Sequence, residues 1–208
     1  MTMDIHKIYL LFQKRFRPKR MGSFVQLFTV DSSTRVLDVG GTLLNWSFVK
    51  VKPQLTILNI HPPAEPMPPN VKWVVGDARC MPFEDQSFDV VFSNSVIEHV
   101  GDWEDQRAFA REIRRVGKRY FVQTPNYYFP VEPHFITPFI HWLPRNIGRR
   151  VVGLTVRNLL TRDVQKSVEL FDEVHLLRPR DMKKLFPDAE IIFERFLGLP
   201  KSILAIKK

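Results

Sequence analysis

The sequence predicts an α/β fold: a doubly wound, mostly parallel sheet of seven strands with one antiparallel strand near its C-terminal end. Three observations carry this expectation. Short continuous apolar runs recur at 35–39, 55–60, 71–75 and 88–93, the pattern of strands covered by helices on both faces. A charged stretch of helical periodicity separates the fourth run from a fifth at 119–123, and strand–helix–strand alternation implies parallel strands joined by right-handed crossovers. The chain closes with two strands, 189–195 and 202–207, joined by FLGLP, a link short enough to make only an antiparallel hairpin.

Residues 4–16 read as an amphipathic helix that stops near Pro18, where the ring removes a donor and crowds the preceding turn. The helix belongs to an N-terminal cap, 1–30. The first strand ends in Asp38, Gly40 and Gly41, a sharp turn that lets backbone approach a ligand. The second and third strands are joined by HPPAEPMPPN, 61–70, which holds five of the chain's sixteen prolines and so predicts a stiff extended loop in place of a helix. Residues 103–116 place Trp103, Ala108, Phe109, Ala110, Ile113 and Val116 among charges and read as a helix. Residues 125–177 form an insert after strand five, beginning TPNYYFPVEPHFITPFIHWLP. An insert there sits beside the ligand crevice of such a sheet, so it is expected to act as a substrate lid on a single domain, 1–208.

The bulk numbers narrow the class. With 208 residues, 44% of them hydrophobic, one domain with a substantial core is expected. Cys80 is the only cysteine, which excludes an internal disulfide or a multi-cysteine metal site and fits a reducing, cytoplasmic setting. No run approaches the ~18 apolar residues of a membrane span, and the N-terminus lacks a cleavage-site pattern. The net charge of +9 is uneven, with Lys14, Arg15, Arg17, Lys19 and Arg20 early and Arg145, Arg149, Arg150 and Arg157 late. Such clusters either are solvated surface or attract an anionic membrane, RNA or a phosphorylated substrate.

The segment 76–99, GDARCMPFEDQSFDVVFSNSVIEH, ends one strand in an acidic residue and the next in small polar residues. Together with VLDVGG at 36–41, it resembles the cofactor-binding motifs of class I S-adenosylmethionine-dependent methyltransferases of the type-11 kind, whose fold is Rossmann-like. The resemblance implies that S-adenosylmethionine is the cofactor. It further implies that Asp38, Gly40 and Gly41 lie at the amino-acid end of the cofactor, Asn59 at its ribose, Asp77 and Ala78 at its adenine, and Ser93 and Asn94 near the methyl group. Met81 and Phe83 either pack near the adenine or are core. Two positions depart from the family pattern: Thr42 stands where a further glycine is common, and Asn59 where an acidic residue usually accepts both ribose hydroxyls.

Methyl transfer requires an aligned acceptor and, for some acceptors, a base. His99 is the candidate base, since a neutral imidazole accepts a proton near pH 7; the alternative is a structural histidine pinning its loop. Tyr127, Glu132 and His134 are candidate substrate contacts. Glu132, His134 and His141 have no established metal-ligand spacing, and no metal is expected. The expected acceptor is a small molecule or a lipid- or sugar-linked intermediate, with peripheral contact to an anionic membrane. The alternatives are a non-catalytic binding module of the same fold and, on charge alone, an RNA methyltransferase; no dedicated RNA-binding module is present.

Overall fold

The computed structural model describes residues 5–208, with side chains from Phe16 onward. The side-chain charges of Lys14 and Arg15, and the apolar face expected before Phe16, lie outside the described side chains. The chain runs α1 (Ile5–Phe28), β1 (Arg35–Val39), α2 (Leu43–Trp46), β2 (Gln54–Asn59), β3 (Val71–Val75) and β4 (Val90–Asn94). It continues with α3 (Trp103–Val116), β5 (Tyr120–Pro125), the short strands β6 (Val131–Glu132) and β7 (Thr137–Pro138), and α4 (Arg145–Val151). The last elements are α5 (Val156–Thr161), α6 (Val164–Glu173), α7 (Pro179–Leu185), β8 (Glu190–Phe196) and β9 (Leu199–Lys207).

Seven strands form one sheet in the order β3-β2-β1-β4-β5-β9-β8. β1 pairs parallel with both β2 and β4, and β9 pairs antiparallel with β5 and β8. This is the doubly wound, Rossmann-like sheet with one antiparallel strand that the sequence predicts. Strand order reverses beside β1, so a crevice opens at the carboxyl ends of β1 and β4, where sheets of this type bind ligands.

Both faces of the sheet are covered. On one, Phe109, Ala110, Ile113 and Val116 of α3 join Met182 and Leu185 of α7 over Leu37, Val91 and Val122. α3 begins at a capping box: the Asp102 side chain accepts from the Glu104 and Asp105 amides, while the Asp105 side chain accepts from the Asp102 amide. On the other face, Met21, Phe24 and Phe28 of α1 cover Val36, Ile57, Val90 and Phe92.

That second face explains why α1 does not stop near Pro18. The helix continues through Pro18 to Phe28 because its last three turns bury large apolar side chains. Burial of each is worth about 1.5–3 kcal/mol, enough together to outweigh the ~3 kcal/mol cost of an internal proline. The closing hairpin is also tighter than FLGLP suggested. Phe196 and Leu199 still pair, so the turn is only Leu197–Gly198, both at positive φ, as a two-residue turn matched to strand twist requires.

The loop 61–70 carries no helix. Within 125–177, which holds β6, β7, α4, α5 and α6, Phe135, Ile140 and Val152 from the connecting segments meet Phe171 of α6 in a small core of their own.

Phe24 is fully buried and meets the rings of Phe28, Phe92 and Phe121 at 5.3, 4.8 and 5.7 Å. Phe24→Ala is expected to lower the free energy of unfolding by about 3–5 kcal/mol in a denaturant titration; a loss under about 1 kcal/mol would show that α1 is not part of the cooperative core.

Candidate active site

The turn after β1 is the tightest part of the crevice. Gly40 has φ +69° and its N–H donates to the Leu58 carbonyl at 2.7 Å. A Cβ there would stand 2.6 Å from Val96, and one on Gly41 would overlap the Asp38 carboxylate. Only glycine lets the chain pass both groups. Asp38 is fully buried; its Oδ2 accepts from Trp46 Nε1 at 2.8 Å, and its Oδ1 has no partner among the described residues. Burial pushes its pKa up to about 7 against the opposing pull of Trp46, Asn45 and Arg17. Asp38 therefore lies beneath the glycine turn, screened from the cleft by backbone.

Asn59 supports the same turn. Its Nδ2 donates to the Gly41 carbonyl at 3.0 Å and its Oδ1 accepts from the His61 amide at 3.1 Å. A carboxylate could not make the first of these bonds. The residue that departs from the family pattern thus ties the β1 turn to the loop after β2. Thr42 is exposed at the start of α2 and makes no side-chain cap bond.

Gly40, Asn59, Asp77, Ala78, Val96 and His99 line a cleft of about 340 Å³. The Asp77 carboxylate is half exposed and held by Arg79, at 2.6 Å, which lowers its pKa; Arg79 also reaches Asp105 at 2.8 Å. The loop beyond is fastened from α3. Glu112 accepts from the Met81 amide at 2.7 Å, and Arg115 donates to the carbonyls of Met81 and Phe83. Met81 is buried in the core and Phe83 packs edge-on against Phe88, so neither faces the cleft and both belong to the core.

Ser93 is a correction to the expected site. It is buried within the sheet, its hydroxyl donating to the Val39 carbonyl at 3.3 Å. Strand alternation sends successive side chains to opposite faces, and it is Asn94 and Ser95 that reach a ligand space. Ser95 adopts φ +56°, a costly conformation for a residue with a Cβ. Gln123 holds it there by accepting from its amide at 2.9 Å and its hydroxyl at 3.0 Å.

A second cavity, about 410 Å³, adjoins the cleft and shares Ser95 with it. Phe16, Phe129, Val131, Ile136 and Phe196 give it apolar walls, and Arg17, Arg20 and Lys201 give it a cationic end. Arg20 is buried: it pairs with Glu194 and donates to Gln123 at 2.9 Å and to Asn94. Arg17 donates to Asn45 at 3.0 Å. These two residues of the early basic cluster therefore turn inward; their spacing with Phe24 along one helix face was the available signal. Burial lowers the Lys201 pKa to about 8, and its ammonium sits 3.4 Å from the Phe16 ring centre.

The candidate substrate residues separate. His134 lines the apolar cavity, whereas Tyr127 and Glu132 line a different cavity of about 200 Å³, together with His141. Glu132 is buried; it binds His134 Nδ1 at 2.6 Å and accepts from the Phe135 amide at 2.8 Å. His141 Nε2 donates to the Tyr127 carbonyl at 2.9 Å, so it does not join the Glu132–His134 pair. His99 has both ring nitrogens engaged: Nδ1 with Glu173 at 2.8 Å and Nε2 with His134 at 3.1 Å. Glu98, buried beside it, has no role assigned from the sequence; its adjacency to His99 was the available signal.

A family model described as "Methyltransferase domain" matches residues 37–120, from β1 to the first residue of β5. The type-11-like, class I resemblance of the two motifs thus stands. Solved structures share the fold over most of their length. A methyltransferase for 1,6-didemethyltoxoflavin from Burkholderia thailandensis, with bound S-adenosylhomocysteine, has a TM-score of 0.59 at 9% identity, covering 97% of this chain and 81% of that one. Magnesium protoporphyrin IX methyltransferase from Synechocystis, with bound SAH, has a TM-score of 0.55 at 10% identity, covering 92% and 84%. A SAM-dependent methyltransferase from Methanosarcina mazei has a TM-score of 0.52 at 12% identity, covering 88% and 94%.

The raised pKa of Asp38 has a defined consequence for stability. The folded chain holds this proton to about pH 7, whereas an unfolded aspartate releases it near pH ~4. Between those values the folded state binds more protons, so this contribution to stability is present at the acid end and is lost as pH rises through 7. Urea unfolding of Asp38→Asn, which retains an acceptor for Trp46, is therefore expected to lose less stability than the parent between about pH 5 and pH 8. Equal losses would place the titration elsewhere.

Proposed function

We propose that this chain is an S-adenosylmethionine-dependent methyltransferase acting on a small or lipid- or sugar-linked acceptor with an apolar body and an anionic or polar group. The observation that carries this reading is the pair of adjoining cavities. The cleft is walled by the glycine turn and Asp77, and the apolar cavity with a cationic end meets it at Ser95.

The cleft fits the cofactor on its own features. The glycine turn leaves no room for side chains, so a ligand can lie directly against backbone. Asp77 and Ala78 border the place expected for adenine, and the Asp77 carboxylate already accepts hydrogen bonds there, from Arg79. Asn59 borders the ribose side with its amide committed to the glycine turn, so its role is to shape the cleft as much as to touch a hydroxyl. The matched methyltransferase domain and the S-adenosylhomocysteine bound to the Burkholderia protein favour the same cofactor. When bound, S-adenosylmethionine supplies a methyl group activated by a sulfonium.

The chain's part in the reaction is alignment and exclusion of water. Ser95, at the junction, is held in one position by Gln123. Arg20 fixes Asn94 and Gln123 beside it, and the β6–β7 hairpin of the insert lies over the acceptor cavity through Val131 and Ile136, as a lid would. His99, with both nitrogens engaged, serves as a positioning group in this reading rather than as a free base.

The acceptor class also bears on location. The insert exposes Phe139, Trp142, Ile147, Leu154, Leu159 and Val164, with Leu154 77% and Leu159 66% exposed, and it exposes Arg150 and Arg162 near them. Apolar side chains among cations suit the surface of an anionic bilayer. Among the described residues no helix is long and apolar enough to cross a membrane. The RNA reading rested on charge, and the inward turn of Arg17 and Arg20 removes part of its support.

Calorimetric titration with S-adenosylmethionine and S-adenosylhomocysteine is expected to show one site, weakened at least about tenfold in Asp77→Ala, the loss of a charge-assisted hydrogen bond. No heat with either compound would end the proposal. Binding without transfer of a labelled methyl group to any polar-lipid or small-molecule extract would favour the binding-module reading. Vesicles of anionic phospholipid should sediment the protein, and neutral vesicles should not. Leu154→Glu with Leu159→Glu should reduce that sedimentation several-fold; an unchanged bound fraction would exclude the insert as the contact.

A further inference from the structure

Between the two cavities, Glu98, His99 and His134 bring one carboxylate oxygen and two imidazole nitrogens within 4.8 Å of one another. The two imidazoles meet edge to face, at 86°, with their Nε2 atoms 3.1 Å apart. Each ring is fixed from behind by an acid: Glu173 binds His99 Nδ1 and Glu132 binds His134 Nδ1. A neutral imidazole carries one N–H. When both rings are neutral and both Nδ1 atoms donate to carboxylates, both Nε2 atoms present lone pairs, and those lone pairs face each other. Two acceptors at that separation repel unless something positive lies between them.

A second observation comes from Glu98. It is fully buried, its Oε2 accepts from Thr124 at 2.9 Å, and its Oε1 has no hydrogen-bond partner among the described residues. A buried carboxylate oxygen left unmatched is costly. One shared proton would relieve the histidine pair and leave Glu98 Oε1 as it is; a metal cation would satisfy all three groups.

We infer that Glu98, His99 and His134 form a binding site for a divalent transition-metal ion of the zinc class. The donor set suits it: two imidazole nitrogens and one carboxylate oxygen are borderline ligands that zinc takes readily, and three protein ligands leave a fourth position open. Two nitrogens bound to a tetrahedral zinc ion lie about 3.3 Å apart, close to the separation already present, so only the carboxylate has to draw in. The carboxylates behind each histidine are the partners that metal-bound imidazoles use to fix tautomer and raise basicity. Glu98 and His99 come from the segment after β4 and His134 from the β6–β7 hairpin, so the ion would also pin the insert to the sheet.

The open position would face the junction of the two cavities, since His99 lines one and His134 the other. An oxygen of the acceptor, a hydroxyl or carboxylate, is the ligand it would take. That last step rests on the proposed methyl transfer; the metal site itself does not.

The test reads metal binding directly in the full-length chain. Protein stripped with a chelator is titrated with zinc by calorimetry, and with cobalt(II) by visible absorption. One equivalent of each is expected, with cobalt bands of four- or five-coordinate intensity. Glu98→Gln and His99→Asn should each weaken zinc at least about tenfold, and Glu173→Gln, which removes the carboxylate behind His99 Nδ1, should weaken it by about 10-fold or more. Zinc should also raise the unfolding temperature of the parent and not of His99→Asn. Absence of binding by parent protein with an intact far-UV spectrum would overturn the inference, as would binding unchanged in both ligand variants. Because no cofactor or acceptor is present, neither result depends on methyl transfer.

Discussion

The crevice of this protein depends on the close approach of the Gly40–Gly41 turn to the buried carboxylate of Asp38 and to Val96. A side chain at Gly40 would push the turn off Val96, and one at Gly41 would displace the Asp38 carboxylate. The approach brings a carboxylate under backbone without a full set of partners, which is why burial raises its pKa so far. Trp46, at the end of a helix of only one turn, supplies a direct hydrogen bond at 2.8 Å that partly compensates. Asn59 then locks the turn from above through the Gly41 carbonyl. The departure from the family's usual acid at this position is thus accompanied by a contact that only an amide donor can make.

A second constraint runs through Arg20. Its guanidinium joins α1 to β4, β5 and β8 by way of Asn94, Gln123 and Glu194. Gln123 in turn holds Ser95 in its unfavourable backbone conformation. A strained residue at a ligand junction persists where surrounding bonds over-determine it, and here those bonds trace back to a helix that covers the opposite face of the sheet. The same helix supplies the cationic and aromatic end of the acceptor cavity, so one element serves both the core and the site.

Legibility in the sequence followed the range of the interactions. β1, β3 and α3 have their expected bounds because apolar runs, a capping aspartate and helical spacing are local signals. Pro18 was misleading, since the burial that carries α1 past it comes from strands far along the chain. Arg17 and Arg20 read as surface charge for the same reason: their partners Asn45, Asn94, Gln123 and Glu194 are 28 to 174 residues away. Ser93 and Asn94 looked equivalent as small polar residues, and only the phase of β4 separates the one inside the sheet from the one facing a cavity.

The sequence by itself determined the doubly wound sheet, its antiparallel closing strand and the glycine turn with Asp77 at the carboxyl edge, because each rests on periodicity or on residues a few positions apart. Tertiary structure alone decided that Asn59 braces that turn, that the early arginines face inward, and that Tyr127 and Glu132 part from His134 into separate cavities. It alone placed His134 against His99 across 35 residues of chain. Spacing along a sequence does not encode such meetings; they exist only once the insert has folded back over the sheet.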